Sequence, residues 1–325
     1  MIQVLQSGIQ TSIQDLGRWG SQSFGIAVGG SLCQYSTSIA NVLVGNETGT
    51  PVLEIVQSPH QFLFEKEALI SFSGGGLIPK VNGNEIPLNQ PHFIKAGSLL
   101  EIKKPSAGFR LYMAIAGGFR ADEFLNSYAT HFATKKGGFQ GRAIQKGDNL
   151  SILKEPSPIA QNIIQSLKQG AYFKINGAAF TLPISNEIRV TTGVDFDLLT
   201  NKSQQTLIKK PFSISNNSNR MGYRLDGTAL ETKENIEMIS SAVAKGTIQL
   251  LPDGQLIALM PDCQTVGGYP KIAHIITTDI SKCAQLKPSE SIFFSIVSLA
   301  EAEKLLEKQN QQIKLLETLI QQHFS

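Results

Sequence analysis

The chain has 325 residues, 41% of them apolar and 17% charged, with 29 Lys+Arg against 26 Asp+Glu. This composition excludes disorder throughout, and the length suits two domains of ordinary size, each able to bury a core. A net charge of +3 with no basic block, and a single Trp, argue against a nucleic-acid partner. The first residues lack a basic region followed by a long apolar one, and nowhere do 18 apolar residues run together, so no membrane partner is expected and the expected location is the cytoplasm. Cys33, Cys263 and Cys283 leave one thiol unpaired in any scheme, which predicts a reducing compartment.

In chain order, a helix of about two turns is predicted from Ser36 to Val44, where apolar residues cluster and Gly45-Asn46 gives a stop. Alternating runs then predict strands at Gln61–Phe64, Leu69–Phe72 and Arg110–Ile115, with a hairpin turn at Asn82-Gly83. The Pro-flanked stretch 158–170 reads as a linker helix. Asp226-Gly227 and Asp253-Gly254 are further hairpin candidates, and strands follow at Leu256–Met260 and Ile292–Val297. Ser298-Leu299-Ala300-Glu301 is a capping box that opens a terminal helix. Leu299, Leu306, Ile313 and Ile320 recur every seven residues on it, while the companion seam of Ala302, Gln309, Leu316 and His323 is half polar. Docking on its own domain is favoured over packing on a partner chain. A faint echo between 2–8 and 188–193 hints at two modules of related build.

The expected organisation is a β module over 1–157, the linker helix at 158–170, a second β module over 171–297 and the helix 298–325. Short strands at this spacing point to barrels or sandwiches and away from a parallel α/β sheet.

Familiar catalytic signatures are missing: there is no phosphate-binding loop, no G-x-S-x-G and no H-E-x-x-H. The five histidines are never within a helical turn of one another, so no metal site is expected. Two clusters combine flexible backbone with polar chemistry. Ser218 to Leu225 places Arg220 and Arg224 around a glycine, a pair suited either to clamping a carboxylate or to ordinary ion pairs. Pro261 to Pro270 follows an apolar strand with Asp262, Gln264 and Thr265 and then turns through Gly267, Gly268 and Tyr269. It is either a binding floor or a bulged hairpin.

Five ordered motifs carry a resemblance: Gly8 to Gly20, Ala40 to Asn46, Gly137-Gly138-Phe139-Gln140-Gly141-Arg142, Asn219 to Leu225 and Gln264 to Pro270. Over roughly residues 3 to 300 the chain resembles the allophanate hydrolase subunit 2 family, also called the biotin-dependent carboxyltransferase or KipA-like family, which includes the C subunit of bacterial 5-oxoprolinase. The resemblance implies a mainly β fold of two cyclophilin-like β-barrel modules with few helices. It implies a KipI-like partner chain, the 5-oxoprolinase B subunit, with a LamB/YcsF-like A subunit in lactam-opening members, and a small-molecule substrate. It further implies ATP in 5-oxoprolinase-type members and, in the carboxyltransferase alternative, biotin on a separate carrier. A non-catalytic role in binding a KipI-like protein is a third reading.

On this basis Asp262, Gln264 and Thr265 are the candidate catalytic residues, and Arg220, Arg224, Gln249, Gly267, Gly268 and Tyr269 the candidate substrate-binding ones. Either arginine would neutralise a substrate carboxylate, and backbone N–H groups at Gly267-Gly268 would meet a developing oxyanion. The chain departs from many members at Gln34 and Ser241, which stand where an acidic residue is usual, and at Tyr128, where an arginine is usual.

Overall fold

The structure is a computed structural model, and it describes residues 1–8, 10–56, 59–170, 173–234 and 238–324. The chain divides into two compact units. Met1–Arg18, Cys33–Leu182 and Gln309–Ser325 form the first; Trp19–Leu32 and Pro183–Lys308 form the second.

The first unit is built on two antiparallel sheets. One has six strands in the order Asn149–Leu150, Ile2–Gln6, His60–Phe64, Leu99–Pro105, Leu77–Val81 and Asn84–Glu85. The other has five, in the order Ser12–Gln14, Val52–Val56, Arg110–Ile115, Ala68–Gly74 and Pro91–Ile94. Alternate residues of both sheets share one core, in which Val4, Phe62 and Phe64 join Leu53, Phe72 and Met113. The Asn82-Gly83 turn forms as predicted: φ is 51° and 85° at its two residues, the left-handed pair that a two-residue hairpin requires. The helix Gln34–Leu43 packs on Arg110–Ile115 and Ala68–Gly74, and it ends before Gly45 at φ 70°. A second helix covers Pro158–Lys168, with the Ser157 hydroxyl accepting the Ala160 N–H at 3.2 Å.

The second unit closes as a seven-stranded barrel. Its order is Glu187–Thr192, Lys271–Ile275, Thr247–Leu250, Leu256–Leu259, Gly222–Asp226, Phe212–Ile214 and Ser291–Ile296, with the last strand pairing parallel to the first. Closure removes the exposed edges that an open sheet would present. Gly254 turns at φ 78° between two paired strands, so Asp253-Gly254 is a hairpin. Asp226-Gly227 is not, because its strand pairs with Phe212–Ile214 and Leu256–Leu259. Gly227 serves space: a Cβ there would meet the Phe212 ring at 2.6 Å. Outside the barrel, Ser241–Ala242 and Val266–Gly267 form a two-stranded ribbon.

The terminal helix spans Leu299–Phe324, and the Glu301 N–H donates to the Ser298 hydroxyl at 3.2 Å as the capping box predicts. The seven-residue seam is not what buries it. Leu299 is exposed, whereas Leu316, Ile320 and Phe324 are buried at four-residue spacing, the stripe that a 3.6-residue turn presents to a globular neighbour. Within the first unit, Asn162 Nδ2 donates to the Phe324 carbonyl at 2.8 Å and Phe173 stacks on the Phe324 ring.

Candidate functional site

The second unit gathers the polar clusters singled out in the sequence. After the strand Leu256–Leu259 the chain leaves the barrel through Met260 and Pro261. Paired backbone bonds fix this exit: Met260 N–H donates to the Met221 carbonyl, and Asp262 N–H to the Arg220 carbonyl, both at 3.0 Å. Across this frame Arg220 and Asp262 form a bidentate pair, Nε to Oδ2 at 2.8 Å and a terminal nitrogen to Oδ1 at 3.1 Å. The Arg220 side chain is only 7% exposed, and the same terminal nitrogen donates to the Gly30 carbonyl at 2.6 Å. Gly29 N–H donates in turn to the Pro261 carbonyl at 2.8 Å. Arg220 and Asp262 therefore join three stretches of the second unit: the loop before Gly222, the exit after Leu259 and the segment Trp19–Leu32. A buried guanidinium with a bidentate carboxylate is neutralised where it stands.

Arg224 is elsewhere. It sits outward on Gly222–Asp226 between buried Tyr223 and Leu225, and none of the Arg220 partners is shared with it. The two arginines do not converge on one point.

A second group forms around Gln249. Its carboxamide is fully buried, with Nε2 donating to the Tyr269 carbonyl at 3.4 Å and Oε1 accepting no hydrogen bond among the described residues. A Cβ at Gly267 would lie 2.6 Å from Gln249 Nε2, so the carboxamide occupies the space a side chain at 267 would need. At Gly268 the neighbour is the Ser240 hydroxyl, 3.1 Å from the Cβ position. Neither glycine has positive φ, and close approach rather than backbone handedness is their use here. Tyr269 is 41% exposed. Gln264 is exposed, while the Thr265 carbonyl accepts from Val243 N–H at 3.0 Å and stitches this stretch to the ribbon. Beside Gly268 and Tyr269 lies a cleft of about 750 Å³ that also borders Met238 and Leu250; its only charged lining residues among the described ones are Glu231 and Asp253.

Sequence reasoning passed over three side chains here. Trp19 lies 60% exposed with the Lys245 ammonium 4.9 Å from its ring centre, a cation–π contact. Burial pushes Lys245 down to about 8, while burial and then the neighbouring Asp262 charge push the Cys263 thiol up to about 11. Lys271 Nζ donates to the Ser241 hydroxyl. The one available signal was Trp19, the sole tryptophan of the chain, inside a Gly-rich motif. Among the described residues no three His, Cys, Asp or Glu side chains gather as a metal site, and no helix is long and apolar enough to cross a membrane.

The chain belongs to the family described as carboxyltransferase domain, subdomain A and B, whose model matches residues 24–296. It is 34% identical over 318 residues to the C subunit of 5-oxoprolinase from Escherichia coli (strain K12), covering 97% of each chain. It is 28% identical over 340 residues to urea amidolyase of Saccharomyces cerevisiae, covering 97% of this chain and 18% of that one. Among solved structures, the urea carboxylase of Kluyveromyces lactis superposes with a TM-score of 0.87 at 26% identity, covering 97% of this chain and 29% of that one.

Proposed function

We propose that this chain is one component of a 5-oxoprolinase-type complex that opens 5-oxoproline to glutamate with ATP, acting with a KipI-like chain and a LamB/YcsF-like chain. The observation that carries this reading is the end-to-end match to the 5-oxoprolinase C subunit, which leaves no large part of either chain unmatched. In this reading Arg220 and Asp262 are positioning residues that hold the loop presenting Gln264 and Thr265. The Gly267–Gly268 backbone faces the lactam carbonyl as it becomes an oxyanion, and Tyr269 borders the ligand. Among the described residues the cleft beside Tyr269 carries two carboxylates and no cation, which does not suit a triphosphate, so in this reading ATP is a requirement of the complex and is not placed in this cleft.

The second reading is a biotin-dependent carboxyltransferase component receiving carboxybiotin from a separate carrier. It is favoured by the family description and by the fold similarity to urea carboxylase. Co-expression with the neighbouring genes, followed by assays of ATP- and 5-oxoproline-dependent glutamate formation and of carboxybiotin-dependent carboxyl transfer, separates the two. Glutamate formation lost on omitting this chain supports the first reading, and carboxyl transfer alone overturns it. An assembled complex without either turnover points to a regulatory binding protein.

A further inference from the structure

Arg220 is neutralised by Asp262, so the carboxylate of an acidic ligand needs another cation. In the second unit Arg224, Lys245 and Lys271 have no carboxylate partner among the described residues. Arg224 is exposed on a strand face, and Lys245 rests on Trp19. Lys271 differs because its ammonium is already oriented. It donates to the Ser241 hydroxyl, and Ser241 is held opposite Gly267 in the ribbon. The backbone beneath Lys271 is fixed on its own account. Lys271 N–H donates to Asp195 Oδ2 at 2.8 Å, a Cβ at Gly193 would fall 2.1 Å from the Lys271 carbonyl oxygen, and Lys271 lies in register opposite Gln249. Among the described residues the buried Gln249 Oε1, 3.4 Å from the Cβ position at Gly267, accepts no hydrogen bond, which leaves room beside the carboxylate for a ligand N–H.

We propose that Lys271 and Ser241 bind the carboxylate of a small acidic ligand at the edge of the Gly267–Gly268 segment. One ammonium and one hydroxyl match a single negative charge, the pairing expected for a carboxylate and too little for a multiply charged phosphate. Holding the ammonium on Ser241 before the ligand arrives lowers the ordering cost of binding. Choosing 5-oxoproline as the first probe rests on the function proposed above; the site itself rests on these side chains.

The test is ligand-observed NMR titration of the full chain and of its co-expressed complex at low salt, with 5-oxoproline, its carboxamide and acetate as probes. Lys271→Gln is expected to weaken 5-oxoproline about ten- to hundredfold, the loss of one charge-assisted contact, and Lys271→Arg to restore part of it. Ser241→Glu, which places a carboxylate beside Lys271, is expected to abolish binding. Lys209→Gln, an exposed charge on a helix outside the site, is expected to change nothing. The carboxamide is expected to bind weakly and without dependence on Lys271. Circular dichroism and thermal melts check that each variant is folded. Wild-type binding of 5-oxoproline that survives Lys271→Gln and Ser241→Glu overturns the site while leaving the proposed function standing. Acetate binding that depends on Lys271, with no affinity for 5-oxoproline in chain or complex, supports the site and removes that function. No affinity for any carboxylate probe overturns the site.

Discussion

The two units treat their buried and half-buried cations differently. In the first, Arg18 is fully buried and donates to the carbonyls of Phe124 and Ala129, with the Phe124 ring 5.4 Å beneath its guanidinium. Arg110 lies 3.9 Å from Glu54, whose carboxylate also accepts the Tyr112 hydroxyl at 3.0 Å. Arg142 grips Asp148 through both terminal nitrogens at 2.7 and 2.8 Å. In the second, Arg189 and Arg220 are held the same way by Asp279 and Asp262, yet Arg224, Lys245 and Lys271 have no carboxylate among the described residues. Buried arginines are held by carboxylates or, for Arg18, by carbonyls, because an unsatisfied buried charge is expensive. Among the described residues, the half-buried Lys245 and Lys271, which have no carboxylate, lie on the unit that carries the glycine pair and the cleft, which is where an anionic ligand would be met.

The sharpest way to break this contrast is to remove one half of a structural pair. Arg220→Ala leaves Asp262 uncompensated and also frees the Gly30 carbonyl. The expected loss is about 3–5 kcal/mol of unfolding free energy, read by urea titration, with Trp19 emission reporting on the segment that Gly30 anchors. Arg224→Ala should fall within about 0.5 kcal/mol of wild type. Equal losses for the two variants would erase the distinction between structural and available cations.

The glycine pair gives a smaller effect. Gly267→Ala forces a Cβ to within 2.6 Å of a buried carboxamide, and overpacking of this kind costs about 1–3 kcal/mol. Gly268→Ala is tight against the Ser240 hydroxyl, an exposed side chain with freedom to turn away, and in ordinary contact with the Met238 carbonyl, and should cost less than about 1 kcal/mol. Thermal melts of the two variants decide the order. A reversed order would show that Gln249 does not occupy the space of the side chain missing at 267.

How much of this was legible in the sequence depended on range. Asn82-Gly83, the helix stop at Gly45 and the capping box at Ser298 are local signals in which backbone conformation follows from residue type, and all three are present in the structure. The two polar clusters were also visible as clusters. What they do was not, because it depends on partners distant in sequence. Arg220 meets Asp262 across 42 positions and Gly30 across 190, and Lys271 meets Ser241 across 30. Spacing alone placed Arg220 beside Arg224, whereas burial separates them by drawing one under the Asp262 loop and leaving the other outside.

The finest test of the contrast uses the chain's single tryptophan. Burial holds Lys245 near 8 in the fold against about 10.4 in an unfolded chain, so the folded state binds fewer protons than the unfolded one between those values. The contribution of this lysine to stability should therefore rise as pH increases from about 8 to 10.4, and it is least favourable below that window. The ammonium over the Trp19 ring is lost in the same titration, so Trp19 emission should change with a midpoint near pH 8. Cys263, pushed up to about 11, stays protonated in the fold through the emission step, and its own contribution to stability falls above about pH 8.5 because the unfolded thiol ionises there, so the Lys245 part is read as the difference from Lys245→Met. In Lys245→Met both the emission step and the added stability should disappear while the remaining pH dependence is kept. An unchanged step in that variant would assign it to another group and return Lys245 to the solvated surface.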